Sequence, residues 1–98
     1  MSEELYLKMP ENIVSTATED IKAELIQALE NNPPALALDM ENTRYVDSMG
    51  IGVLIAAFNS CHKKQIEFKL LNVDKEVYEL FTTMRLDQHF PIHPKENS

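Results

Sequence analysis

The stretch RYVDSMGIG, Arg44 to Gly52, holds both glycines of a 98-residue chain, and its reading decides the fold. Tyr45-Val46 suits a strand, whereas apolar residues from Ser48 onward recur at helical spacing, so a strand gives way to a helix at Asp47. Asp47 stands where its carboxylate can accept from the free amides of a first helical turn. Ser48 then falls at the first helical position, its hydroxyl outward near the positive end of the helix dipole. Glycine inside a helix costs about 0.5–1 kcal/mol relative to alanine, so Gly50 and Gly52 ask for a reason. Two readings compete: close packing against the neighbouring strand, or a platform around Ser48 that another surface approaches.

Working outward, the helix extends from Ser48 to about Lys63. Val53, Leu54, Ala57 and Cys61 form one apolar stripe, and Ile51, Ile55 and Phe58 a second, more than a simple surface helix carries. The basic run His62-Lys63-Lys64 suits a helix C-terminus. Beyond it Ile66, Phe68 and Leu70 alternate as a strand. Asp74 can cap a further helix with the stripe Val77, Leu80, Phe81 and Met84. Leu86 to Ile92 supplies a last short element, and residues 93–98 are expected to fray.

Upstream, Leu5, Leu7 and Met9 alternate as a first strand that Pro10 ends, and Glu11 to Ser15 is either a short strand or a loop. Thr16 and Glu19 match a capping box, followed by Ile21, Leu25, Ala28 and Leu29 at helical spacing. Asn31-Asn32-Pro33-Pro34 stops that helix. ALALDM, Ala35 to Met40, reads as a strand covered on both faces. Strands thus alternate with helices, which makes the fold α/β with a largely parallel sheet and right-handed crossovers.

The length allows one small domain, residues 1–98, with a single core. Sixteen acidic against nine basic residues give a formal charge of −7, which argues against nucleic acid or an anionic membrane as the main ligand. A protein partner with a basic patch fits better. Cys61 is the only cysteine, so no internal disulfide forms. With no basic-then-apolar leader and no apolar run long enough for a bilayer, a cytoplasmic location without membrane insertion is expected.

Candidate chemistry is sparse. Gly50-Ile51-Gly52 is followed by no lysine, so it is no P-loop, and Ile55 defeats the dinucleotide fingerprint. Cys61 and His62 are adjacent on a helix and point about 100° apart, so they make no thiol–imidazole pair. Pro91 breaks any helix that would align His89 with His93, and no metal site or cofactor is expected. Glu19-Asp20 suits a helix's first turn. Ser48 stands out as a modification site. A phosphate there would add about −1.5 to −2 charges, tolerated by a helix N-terminus yet disruptive to a docked partner.

The run Asp47-Ser48-Met49-Gly50-Ile51-Gly52 resembles the hallmark of the STAS family, the anti-sigma factor antagonists, in which Asp-Ser-small-Gly-aliphatic-Gly opens the second helix. Glu11 to Thr16 is similar to the segment before that family's first helix, and IEFKLLNVDKEVYELFTTMRLDQHF to its later strand, helix and closing segment. The resemblance implies a mixed, mostly parallel sheet of four to five strands with three to four helices on one side. It implies a non-enzymatic partner switch: an anti-sigma factor or related serine kinase docks, phosphorylates Ser48 and is released, and a phosphatase restores the site. Ser48 would be the phosphorylation site, with Asp47, Ser48, Met49, Gly50 and Ile51 forming the partner-binding rim. Met49 departs from the usual Ser or Ala, and Pro10 and Ile13 stand where the family has Gly and Asp. The N-terminus is short for the family's opening hairpin. The same resemblance admits a STAS subunit that stabilises an ABC-type lipid-transport ATPase, or a chemotaxis adaptor. The chain is expected to be a monomer or weak homodimer, since an isolated sheet edge can be covered by a second copy.

Overall fold

The computed structural model describes residues 4–96. In chain order the elements are β1 (Leu5–Lys8), β2 (Asn12–Ile13), α1 (Thr18–Leu29), β3 (Ala35–Asp39), β4 (Tyr45–Val46), α2 (Ser48–Lys63), β5 (Glu67–Val73), α3 (Lys75–Thr83) and β6 (Ile92–Pro94). The main sheet has the order β1-β3-β5-β6, and a separate pair joins β2 to β4. Every ladder among the described strands is parallel. Each crossover in the main sheet advances in the same direction, so crossovers of one hand lay all three helices on one face.

Period-2 alternation identifies that face. Leu5, Leu36 and Phe68 are in register, as are Leu7, Leu38, Leu70 and Ile92. Leu36, Leu38 and Leu70 are completely buried in one cluster with Ile21 and Leu25 of α1, Leu54 of α2, and Val77 and Phe81 of α3. On the opposite face Tyr6, Ala37 and Lys69 align. Ala37 is buried there without a helix above it. The Tyr6 hydroxyl donates to Glu4 Oε1 (2.6 Å) and Lys69 Nζ meets Glu4 Oε2 (2.7 Å), so a side-chain bridge spans the alanine. The expected two-sided cover of β3 therefore comes from a second layer on one face and from neighbouring side chains on the other.

The second helix spans Ser48–Lys63 as its periodicity predicts. Its broad apolar character is used internally. Ile51, Val53, Leu54, Ala57 and Cys61 are buried, and Ile55 and Phe58 pack half-buried against the core. Phe58 meets Phe90 at 5.2 Å between ring centroids, and Phe90 meets Phe68 edge-on at 5.1 Å, a preferred aromatic geometry. Closing the helix, Ile66 N–H donates to Cys61 O and Gln65 N–H to His62 O, the paired bonds of a Schellman end. Gln65 occupies its left-handed position, φ 61°.

Three local expectations differ from the structure. Thr16 and Glu19 form no capping box: a 3-10 turn at Ser15–Ala17 precedes α1, whose N-cap is Ala17 with no side-chain bond. The Ser15 amide is held instead by the distant Asp47 carboxylate, which fixes the backbone one residue before the supposed cap. Asp74 is at the N-cap of α3, yet its side chain makes no capping hydrogen bond. Fraying does not begin at His93, because β6 continues to Pro94 and the Lys95 N–H donates to Val73 O at 2.8 Å. Residues 97–98 of the expected tail lie outside the described residues.

Candidate functional site

Asp47 is the hub at which three segments meet. Glu11 O accepts from the amides of Arg44 and Tyr45, bringing β2 beside β4 with Asn12 opposite Tyr45 and Ile13 opposite Val46. The buried Thr43 hydroxyl donates to Pro10 O at 2.7 Å, which locks the preceding loops together. Asp47 N–H then donates to Ile13 O, and its side chain serves two donors: Gly50 N–H at 2.8 Å to Oδ1 and Ser15 N–H at 3.1 Å to Oδ2. One carboxylate thus satisfies an orphan amide of α2 and tethers the approach to α1, a charge-assisted arrangement.

The two glycines have different causes. A Cβ on Gly50 would overlap the Ile13 carbonyl oxygen and sit 2.8 Å from its carbon. The helix approaches β2 so closely that only glycine fits. Around Gly52 nothing lies within 4 Å of such a Cβ, and the residue is exposed. Neither glycine has a positive φ. Gly50 is explained by internal packing, whereas no contact within the domain explains Gly52.

The five residues expected to form a rim divide accordingly. Ser48 is exposed and Met49 is 56% exposed, while Asp47 is half-buried and occupied by its two hydrogen bonds. Gly50 and Ile51 are buried and shape the surface from beneath. Sequence reasoning missed Tyr45, 65% exposed on β4. The signal was available in part: an aromatic beside Arg44, in a segment too short to fill a central strand. Tyr45, Ser48, Met49 and Gly52 thus present exposed positions around the β4–α2 junction. The Ser48 hydroxyl holds no hydrogen bond among the described residues, and the nearby amides of Asp47, Gly50 and Ile51 are given to Ile13 O, Asp47 Oδ1 and Asp47 O.

Other chemistry is meagre. Among the described residues no group of three His, Cys, Asp or Glu side chains is arranged to hold a metal ion. The Cys61 thiol is fully buried, and desolvation pushes its pKa up to about 11, which suppresses the nucleophilic thiolate. His62 is exposed and lies against Phe58, 5.8 Å between rings. A surface groove of about 890 Å³ carries Glu11, Glu41, Asp74 and Glu76 against Arg44 and Lys95, a charge balance unsuited to phosphate-bearing cofactors. No described helix is long and apolar enough to cross a membrane.

The short strand pair, the Asp-capped glycine helix and the one-sided helical layer agree with a family match to the STAS domain over residues 2–98. The chain belongs to the STAS domain family. It is 35% identical over 46 residues to the anti-sigma-B factor antagonist of Listeria monocytogenes, a match that spans 47% of this chain and 40% of that relative. The structure superposes on an anti-sigma-factor antagonist (STAS) domain protein from Planctomyces limnophilus with a TM-score of 0.81 at 19% identity, covering 93% of this chain and 82% of the other. It matches an anti-sigma factor antagonist from Mycobacterium paratuberculosis at a TM-score of 0.81 and 19% identity, covering 91% and 75%. The fold is therefore shared at low identity.

Proposed function

We propose that this STAS domain is a non-enzymatic partner switch whose docking surface centres on Ser48 and whose state is set by phosphorylation of that residue. The supporting observation is the exposed Ser48, at the first position of α2, with a hydroxyl uncommitted to the domain while Asp47 beside it is fixed by two hydrogen bonds. A phosphate added there displaces no internal contact and sits at the favourable end of the helix dipole. It also stands next to a carboxylate that cannot turn away, and it adds about −1.5 to −2 charges to a surface otherwise presenting Met49, Tyr45 and Gly52. The fold survives and the surface changes, which is what a switch requires.

The partner would be a serine kinase of the anti-sigma factor type, with a phosphatase to reverse the mark, and the setting would be the bacterial cytoplasm. Intact mass and peptide mapping of the chain from its native cell, across growth conditions, tests the reading. A phosphoryl adduct confined to Ser48 and varying with condition is expected. Persistent absence of the adduct, with the chain recovered in a constitutive complex such as a transport ATPase, would remove the switch.

A further inference from the structure

The β1 edge carries a pattern that the proposed switch does not use. In a strand, successive residues turn their N–H and C=O groups to opposite sides. Met9 N–H donates to Asp39 O, so Leu5, Leu7 and Met9 address β3, and Glu4, Tyr6 and Lys8 direct their backbone groups outward. No strand among the described residues pairs with that side. The core-facing Leu5 and Leu7 remain only half-buried, whereas their register partners Leu36 and Leu38 are completely buried.

The two sheet edges are not equivalent. At the far edge, prolines flank or end β6 at Pro91 and Pro94, and its ladder shifts between Leu70 and Val73. Proline and irregularity blunt an edge against pairing. The β1 edge has neither before Pro10. Its charges are Glu4, bonded on the same face to Lys69 and Tyr6, and Lys8, held loosely to Glu41 at 3.9 Å with both of those side chains more than half exposed.

We propose that this edge pairs with β1 of a second copy, antiparallel about a two-fold axis at Tyr6, to make a continuous eight-stranded sheet. The chemistry that selects a copy of the same chain is the segment ELYLK, Glu4 to Lys8, which is complementary to its own reverse. Centred on Tyr6, Glu4 opposes Lys8 of the other copy twice, and Tyr6 opposes Tyr6. Leu5 opposes Leu7 on the core side, where both leucines lack cover. Opposite charges and aromatic pairs directly across a ladder are stabilising. Tyr6, Glu4 and Lys8 are also the residues whose N–H and C=O face outward, so these pairs fall at the hydrogen-bonded positions of an antiparallel ladder. Neighbouring registers do worse. Centring on Leu7 sets Glu4 against Pro10, which has no N–H to give, and centring on Leu5 separates Glu4 from Lys8. The interface is isologous and closes at two copies.

Sedimentation equilibrium of the full 98-residue chain, from micromolar to millimolar concentration, reads the association. Amide exchange by NMR reads its location. A monomer–dimer equilibrium is expected, with the Tyr6 and Lys8 amides slowing as concentration rises and the Leu5 and Leu7 amides unchanged. The surface substitution Lys8→Glu should weaken dimerisation at least tenfold while leaving the thermal midpoint of the dilute protein unaltered. A monomer mass at every concentration overturns the proposal, as does a dimer whose Tyr6 and Lys8 amides exchange as in dilute solution. Protection of those amides in a dimer indifferent to Lys8→Glu overturns the register centred on Tyr6.

Discussion

Replacing each glycine of α2 by alanine separates the two roles assigned to them. Gly50→Ala gains about 1 kcal/mol of helix propensity. It also drives a Cβ into the Ile13 carbonyl oxygen, which is backbone and cannot rotate aside. Overpacking of this kind costs about 1–3 kcal/mol. The displaced carbonyl is also the acceptor for Asp47 N–H, a bond contributing about 1 kcal/mol. The net is a loss of about 1–3 kcal/mol, or a thermal midpoint lower by roughly 5–20 °C for a domain of this size. Gly52→Ala meets open space and should raise stability by about 0.5–1 kcal/mol, or roughly 2–8 °C. Urea denaturation monitored by far-ultraviolet circular dichroism, with thermal melts beside it, measures both. A Gly50→Ala variant as stable as the parent would refute the packing account of that residue. Loss of more than about 1 kcal/mol in Gly52→Ala would reveal a contact that the open space denies.

Four further outcomes follow from the same geometry. Ser48→Asp should leave the unfolding midpoint within about 0.5 kcal/mol of the parent and lower partner affinity at least tenfold, about 1.4 kcal/mol; unchanged affinity in a titration would contradict the switch. Asp47→Ala removes acceptors for Gly50 and Ser15 and should destabilise the chain by about 1–2 kcal/mol, with faster amide exchange at Ser15 as the specific sign. Gln65→Gly relieves a left-handed non-glycine residue, φ 61°, and should stabilise by about 1 kcal/mol, read from chemical denaturation. For Cys61, the folded thiol is raised from its ordinary value of 9.0 to about 11. The unfolded chain therefore releases its proton first, and the stability contributed by the neutral buried thiol declines as pH rises from 9.0 toward 11. Cys61→Ala lacks this alkaline component, so stability measured against pH should fall more steeply for the parent over that interval.

The legible parts of this protein are those governed by neighbours within a turn or a strand repeat. The second helix announces both its ends, Asp47 before the first turn and the basic residues in the last, because caps and dipole charges act over a few residues. Alternation in Leu5–Lys8 and Glu67–Val73 assigns their faces for the same reason. The Asp-Ser-Met-Gly turn was readable as a candidate site because a capping residue, a first-turn serine and costly glycines fall together. Its division of labour was not readable, since Gly50 and Gly52 are alike in sequence and differ only in what lies opposite.

Tertiary structure made the remaining decisions. Thr16 and Glu19 satisfy the local rule for a capping box, yet Asp47, 32 residues from Ser15, captures the backbone first. The two-residue strands β2 and β4 carry no period of their own and exist because Glu11 and Ile13 carbonyls find amides near Asp47. Tyr6 and Lys69, the register neighbours of Ala37 on the two flanking strands, are joined across it through Glu4. By itself the sequence determined the α/β order, the span of α2 and the place of Ser48. Which glycine is packed, which surface stays open and which sheet edge is unpaired among the described residues depend on segments far apart in the chain, and those distances are set only when the core closes.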